Sequence, residues 1–368
     1  MKSDDVFIKR NEKASTISKI IKDGDILSKC IENNWIDNIV SVKQKIGEPS
    51  VHGEVHLGKI HGFPKVSIVL KKIPLTRDVR KILAKNIDGI NIVEATGIFS
   101  EIFFLYMTDT MVRKNITPHV PRLLGKSICI DGDCGFNGSK RHHDSNGCVI
   151  LYLEKANDTL DKFLDTRSLS REELLTIFLQ IYIGLYIVKK SFRMAHNDLH
   201  GDNVLYYTIP KKSKLDIIQH KIGNKTISYP NIGYIMYIWD FGMSSIPGVL
   251  EPFDLFWFLH DEDHIKYLKE PLYDFTKILS SLRYHSGKTE KDKIIRKNVS
   301  STIKDILKSF RGDLKKIIFD LYDVISIEHY ERTGKPLDDY DVLHKFNTNK
   351  KITQKNWENA INKASEVK

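Results

Sequence analysis

Residues 194 to 207 read MAHNDLHGDNVLYY, and this stretch constrains the fold more than any other. It sets His196, Asp198, Asp202 and Asn203 between apolar neighbours. The apolar run before it, Leu174 to Val188, predicts a buried helix. The run after it, Val204 to Tyr207, predicts a short strand. The polar residues therefore lie on a helix-to-strand loop fixed at both ends, the usual mounting for reactive groups. Asp198 and Asn203 are spaced D-x-x-x-x-N, so an acid can face a substrate hydroxyl while an amide oxygen faces a metal ion.

A second element answers the first. Residues 234 to 239, YIMYIW, form a strand-like apolar run that stops at Asp240-Phe241-Gly242. A carboxylate at a strand end, followed by an aromatic residue and glycine, suits a metal ligand at a joint in the chain. Taken in order, His196-Asn197-Asp198, Asn203 and Asp240-Phe241-Gly242 resemble the catalytic loop and D-F-G of the protein-kinase superfamily. The resemblance covers residues 43 to 280 and implies a bilobal α+β fold. Its small β-rich N-lobe would span residues 42–155 and its larger helical C-lobe residues 156–368, with a helical extension over residues 1–41.

Further residues fit that pattern in order. Gly47 and Gly53 bracket a polar turn, and Gly53 with Val55 resembles the end of the kinase glycine-rich loop, where backbone N–H groups approach phosphates. Gly47 lies one position too far upstream, and Pro49 stands where a middle glycine is expected. Ile68-Val69-Leu70-Lys71 is similar to V-A-I-K, which makes Lys71 the candidate for the α/β-phosphates, with Lys72 as its rival on the opposite strand face. The helix predicted from Gly97 carries Glu101 among apolar residues, so Glu101 is the expected partner of Lys71, and Glu94 the alternative. Strands are expected at Pro118–Gly125 and Cys148–Glu154, with Leu153 as gatekeeper and Glu154 to Ala156 as the adenine-binding hinge. Asp158 and Asp161 open the next helix as residues of its cap or of the site. The resemblance makes Asp274, near a helix start, the acid that anchors the catalytic loop. Helices are also expected at Ile17–Trp35, Ile303–Phe310, Leu314–Ile327 and Tyr340–Phe346, and a long hairpin insertion at Ile209–Gly233.

Composition is that of a globular chain, with 41% hydrophobic and 28% charged residues over 368 positions. No apolar run reaches the roughly 18 residues of a membrane span, and residues 1 to 6 carry no secretory segment. The expectation is an intracellular, soluble protein, in host cytoplasm or virion if the viral resemblance below holds. The net charge of +10 permits an acidic partner such as nucleic acid, but the lysines are scattered among acids rather than blocked. Four cysteines are too few for a disulfide framework; Cys129, Cys134, His142, His143 and Cys148 crowd into 20 residues as a possible zinc cluster that fits no standard finger.

The resemblance implies ATP and Mg2+ as cofactors, with Asp198 orienting the acceptor hydroxyl, Asn203 and Asp240 holding the metal, and Lys71, fixed by Glu101, gripping the phosphates. It implies a protein substrate. Ser/Thr protein kinases usually place lysine two residues after the catalytic aspartate; here that residue is His200. The wording His-Asn-Asp-Leu-His is similar to divergent Ser/Thr protein kinases of large DNA viruses. It also occurs as His-x-Asp-Leu-His in small-molecule kinases of the aminoglycoside and choline type, and the short segment after Gly242 keeps that alternative open. A non-catalytic scaffold is the third reading.

Overall fold

The computed structural model describes residues 6–21, 26–27, 40–50, 53–61, 63, 66–75, 94–95, 97–129, 147–209, 216–252, 272–284 and 289–365. Helix α1 (Val6–Ile21) leads to a six-stranded sheet. Its strands are β1 (Ile26–Leu27), β2 (Val40–Ser50), β3 (Gly53–Ile60), β4 (Ser67–Pro74), β6 (Leu123–Cys129) and β7 (Cys148–Glu154), in the order β1-β6-β7-β4-β3-β2. Between β4 and β6 the chain passes through β5 (Glu94–Ala95) and helix α2 (Gly97–Arg113).

Alternation along β4 explains how this sheet works. Val69 and Ile73 pack with Val55, Leu151 and Leu153 into the main core against α2. Ile68 and Leu70 pack with Ile150, Tyr152 and the α1 residues Ala14, Ile17 and Ile21 on the other face. Neighbours on a strand point to opposite faces, so Lys71 shares the α2 face and Lys72 does not.

The C-terminal part is helical around α4 (Arg171–Phe192), entered through α3 (Leu160–Thr166) after β8 (Asp158–Thr159). Ser170 and Glu173 form a reciprocal capping box at the start of α4, as S-x-x-E before an apolar run predicts. This helix is apolar enough and long enough to cross a membrane, yet most of it is buried inside the fold. Its Gln180 accepts from the Met236 N–H at 2.9 Å and donates to the Tyr234 carbonyl at 3.2 Å. A core side chain thereby satisfies the free edge of β12 (Tyr234–Ile238), whose other edge pairs with β9 (Val204–Thr208). The insertion between them is the hairpin β10 (Asp216–Ile222) and β11 (Lys225–Pro230). β13 (Glu251–Pro252) follows the D-F-G and pairs with β5. Helices α5 (Tyr273–Lys277), α6 (Ser281–Tyr284), α7 (Glu290–Lys308) and α8 (Leu314–Thr333) come next. Strand β14 (Asp341–Asn347) and helix α9 (Gln354–Ser365) complete the described chain.

Several expectations are corrected. The first described helix is Val6–Ile21, beginning well before the expected Ile17, and Ile26–Leu27 is strand; residues 22–25 and 28–35 of the expected helix lie outside the described residues. Residues 118 to 121 are not a strand; Pro118 and Pro121 cannot donate to a ladder, and β6 starts at Leu123. Tyr340–Phe346 is not a helix but mostly β14, added in parallel to β10, where it gains a ladder that a seven-residue isolated helix lacks. The residue capping α3 is Thr159, not Asp158 or Asp161. Cys129 and Cys148 are both disulfide-bonded and are register partners across β6 and β7, so two of the five suggested zinc ligands are already engaged. Cys134, His142 and His143 lie outside the described residues.

Helix α9 packs along α2. Its Trp357 ring lies 5.4 Å from Phe103 of α2 and 5.6 Å from Phe192 of α4, and Lys126 of β6 donates to the Lys363 carbonyl at 2.6 Å. Trp357→Ala removes the ring that joins the three helices and should cost about 3 kcal/mol. Thermal denaturation should show a Tm several degrees lower, with Trp357→Phe losing less; an unchanged Tm for the alanine variant contradicts this packing role.

Candidate active site

Lys71 is buried, and its ammonium lies 3.1 Å from Glu101 Oε2 and 2.8 Å from Asp240 Oδ1. Three elements meet there: β4, α2 and the end of β12. Burial works against each charge, but the charges of Asp240 and Glu101 hold the Lys71 amine well above its ordinary range. Burial raises the Glu101 carboxyl; the Lys71 charge opposes that shift, while the nearby Asp240 charge adds to it. Lys72 stays on the other face of β4, only partly buried. The side chain of Glu94, the alternative partner, lies outside the described residues.

Val55 is the register partner of Lys71 on the neighbouring strand, so both belong to one face. Gly53 has φ +138°, and a Cβ there would sit 2.1 Å from the Lys72 carbonyl oxygen. Close strand approach alone therefore requires this glycine. Gly47 lies on β2 in the irregular stretch between Ile46 and Ser50.

Strand β7 ends at Glu154, the first residue of the expected hinge, whose carboxylate turns toward α1. Arg10 Nε donates to Glu154 Oε2 at 2.8 Å, and Arg10 Nη1 donates to the Tyr207 hydroxyl at 3.0 Å. Ala156, two residues on, is half-buried, and Asn157 N–H donates to the Tyr206 carbonyl of β9 at 2.8 Å.

The loop 195–203 is held from three sides. Asp274 of α5 accepts from the His196 N–H at 2.8 Å and the Asn197 N–H at 3.0 Å. His196 is fully buried, bonds through Nε2 to the Trp239 carbonyl at 2.7 Å, and packs against Phe241 with ring centroids 5.6 Å apart. Asn197 adopts φ +66°, a left-handed conformation that asparagine tolerates better than most residues. Its amide donates to the Met243 carbonyl at 2.8 Å and to Ser245 Oγ at 2.9 Å. Gly201 has no room for a Cβ, which would overlap Asp161 Oδ1 at 1.6 Å. Asp161 thus packs against the loop.

Asn203 Nδ2 donates to the Asp198 carbonyl at 2.8 Å and to Asp198 Oδ2 at 3.2 Å. With its nitrogen engaged, Asn203 has its amide oxygen left to offer a cation. The Trp239 N–H donates to the Asn203 carbonyl at 2.9 Å, so Asn203 stands beside the residue preceding Asp240. Asp240 itself has φ +62°, and its side chain is about one-third exposed. A carboxylate and an amide oxygen are hard donors of the kind magnesium takes.

Asp198 is the most open of these groups. Burial would raise its carboxyl, but the His200 imidazole 3.7 Å away and the charge of Lys277 outweigh this and hold it at about 2. His200 is correspondingly raised, first by its proximity to the Asp198 carboxylate. Lys277 joins these groups only through the fold. Its ammonium lies 3.1 Å from Asp198 Oδ1 and 3.0 Å from the Asn197 carbonyl oxygen. The signal available was its spacing: three residues after Asp274, and so on the same face of α5.

A family model described as "Haspin like kinase domain" matches residues 2–238. The chain is 23% identical over 58% of its length to 019R of Frog virus 3 (isolate Goorha), provisionally named a serine/threonine-protein kinase. It is 31% identical over 30% of its length to 098L of Invertebrate iridescent virus 3, named as a probable kinase. It is 34% identical over 20% of its length to a Dictyostelium discoideum protein named as a probable serine/threonine-protein kinase. These alignments take in 24%, 19% and 6% of the relatives' own lengths, so the chain spans a quarter or less of each. The family match takes in more than half of this chain, and with the Lys71–Glu101–Asp240 cluster already in view, the chain belongs to the Haspin-like kinase domain family.

Proposed function

We propose that the chain transfers the γ-phosphoryl group of ATP to a serine or threonine hydroxyl of a protein. The observation that carries this reading is the meeting of Lys71 with Glu101 and Asp240, beside a loop that presents Asp198 bound to Asn203. Phosphoryl transfer asks a protein for positioning and charge neutralisation more than for covalent chemistry. Lys71 is the cation for the α/β-phosphates. Asp240 and the Asn203 amide oxygen would hold magnesium, which when bound neutralises phosphate charge. Asp198 orients the acceptor hydroxyl and takes its proton. Gly53, Val55 and the backbone of Glu154 to Ala156 line the nucleotide side, and Gly47 is assigned there on sequence pattern.

One feature favours a second acceptor class. His200 stands where a Ser/Thr protein kinase usually has lysine, as in kinases of small alcohols. The protein-kinase names of the relatives favour a protein acceptor. A labelled-ATP assay on basic and acidic protein substrates beside a small-alcohol panel separates the two. The presence of Lys71, Asp198, Asn203 and Asp240 together argues against a non-catalytic scaffold.

Asp198→Asn should abolish transfer while leaving MgATP affinity nearly unchanged. Asp240→Asn should abolish transfer and weaken Mg-dependent ATP binding, because a charged metal ligand is lost. Wild-type turnover in both variants would show that the kinase assignment is wrong.

Activity should not require phosphorylation after the D-F-G. Residue 197 is a neutral asparagine bonded to Met243 and Ser245, so it offers no charged fork to a phosphate. Ser244 and Ser245 are buried, and Ser244 Oγ donates to the His196 carbonyl at 3.4 Å. Phosphatase-treated enzyme should keep its rate. Ser244→Ala with Ser245→Ala should change turnover by less than about tenfold, roughly 1.4 kcal/mol of barrier. A lag that disappears on preincubation with ATP would count against this.

A further inference from the structure

Asp198 has an anionic carboxylate, and residue 200, two positions further on, is histidine rather than a permanent cation. Among the described residues, the cationic side chains within 4.0 Å of that carboxylate are Lys277, at 3.1 Å from Oδ1, and His200, at 3.7 Å from Oδ2. Lys277 comes from α5, about 80 residues downstream, so the contact belongs to the tertiary fold rather than to the loop.

Its setting is built rather than incidental. Asp274 and Lys277 project from one face of α5, three residues apart. Asp274 accepts the N–H groups of His196 and Asn197, and Lys277 donates to the carbonyl of Asn197 at 3.0 Å. One short helix thus grips Asn197 through both its N–H and its C=O, and from the same grip reaches the carboxylate of the next residue. The Lys277 ammonium also lies 5.7 Å from the Tyr273 ring centre, which limits where it can swing. Its side chain is about 29% exposed and that of Asp198 about 44%, so the pair faces the open side of the site, where an acceptor must enter.

We propose that Lys277 is a positioning residue for phosphoryl transfer: it orients the Asp198 carboxylate toward the acceptor and supplies the fixed positive charge that His200 does not. The inference rests on the kinase reading above. In the step, the acceptor O–H gives its proton to Asp198 as its oxygen bonds to the γ-phosphorus. The bond from that phosphorus to the bridging oxygen breaks, and ADP leaves with the electron pair. Lys277 holds Oδ1 and Asn203 holds Oδ2, which sets the carboxylate plane. A carboxylate has about four lone-pair sites, so positions remain for the acceptor hydroxyl.

The test compares Lys277→Met, Lys277→Gln and Lys277→Arg with the wild type, reading kcat, MgATP Kd and Tm for each. Lys277→Met and Lys277→Gln should each lose about 100-fold in kcat, the scale of a misplaced general base, with MgATP Kd unchanged. Lys277→Arg keeps the charge and should stay within about tenfold of wild type. Glutamine can still donate to the Asn197 carbonyl, so a Lys277→Gln variant as fast as wild type would overturn the charge role. A Lys277→Arg variant as slow as Lys277→Gln would overturn it too. If Lys277→Met fails to fold, the Gln and Arg pair decides alone. A wild type without transfer activity overturns the kinase reading and this inference together, whereas an active wild type with indifferent Lys277 variants overturns this inference only.

Discussion

The ion cluster of Lys71, Glu101 and Asp240 is the constraint that organises the molecule. Removing such charges from water costs several kcal/mol each, and only close partners offset that cost. Lys71 and Glu101 are nearly fully buried, so each is tolerable only while the other is in place. That requirement ties β4, α2 and the end of β12 into one arrangement. It also explains why so much apolar surface is spent on holding α2. Phe103 and Phe104 pack inward from it, Phe104 against Phe241 of the D-F-G, and Trp357 of α9 braces it from behind.

A second arrangement holds the polar loop 195–203. The loop carrying Asp198 has few backbone partners of its own, and it is held by groups from elsewhere: Asp274 and Lys277 of α5, the Trp239 carbonyl on His196, and the backbone after the D-F-G on Asn197. Two left-handed residues, Asn197 and Asp240, sit at the joints. Such conformations persist only where surrounding contacts over-determine them. The hydrogen bond from Trp239 to Asn203 links the two arrangements.

The parts of this site that could be read from the sequence are those in which chemistry and element coincide locally. Asp198 and Asn203 share one loop. Glu101 is a single acid in an apolar stretch, which already asks for a cation. Asp274 could be named because the kinase resemblance puts a loop-anchoring acid near that helix start. Lys277, by contrast, looks like any exposed lysine in a lysine-rich chain, and only folding brings it beside Asp198. Arg10 is the same case: nothing local says that it will claim Glu154 and turn that carboxylate off the hinge. β14 was misread because Tyr340 to Phe346 has the apolar content of a helix, and its pairing with β10 lies more than 100 residues away in sequence. Prolines 118 and 121 shortened a strand that hydrophobicity alone extended. The facing pair Cys129 and Cys148 depends on the register of β6 and β7, which composition does not encode.

The most direct measurement of the central claim is phosphotransfer from MgATP by Lys71→Met and Lys72→Met, prepared side by side with matched Tm values. The two lysines are neighbours with the same chemistry and differ only in the face of β4 they occupy, so the comparison isolates the buried cluster. The account predicts that Lys71→Met loses activity while Lys72→Met keeps most of it. Equal activity in the two variants, or loss in Lys72→Met alone, would contradict it.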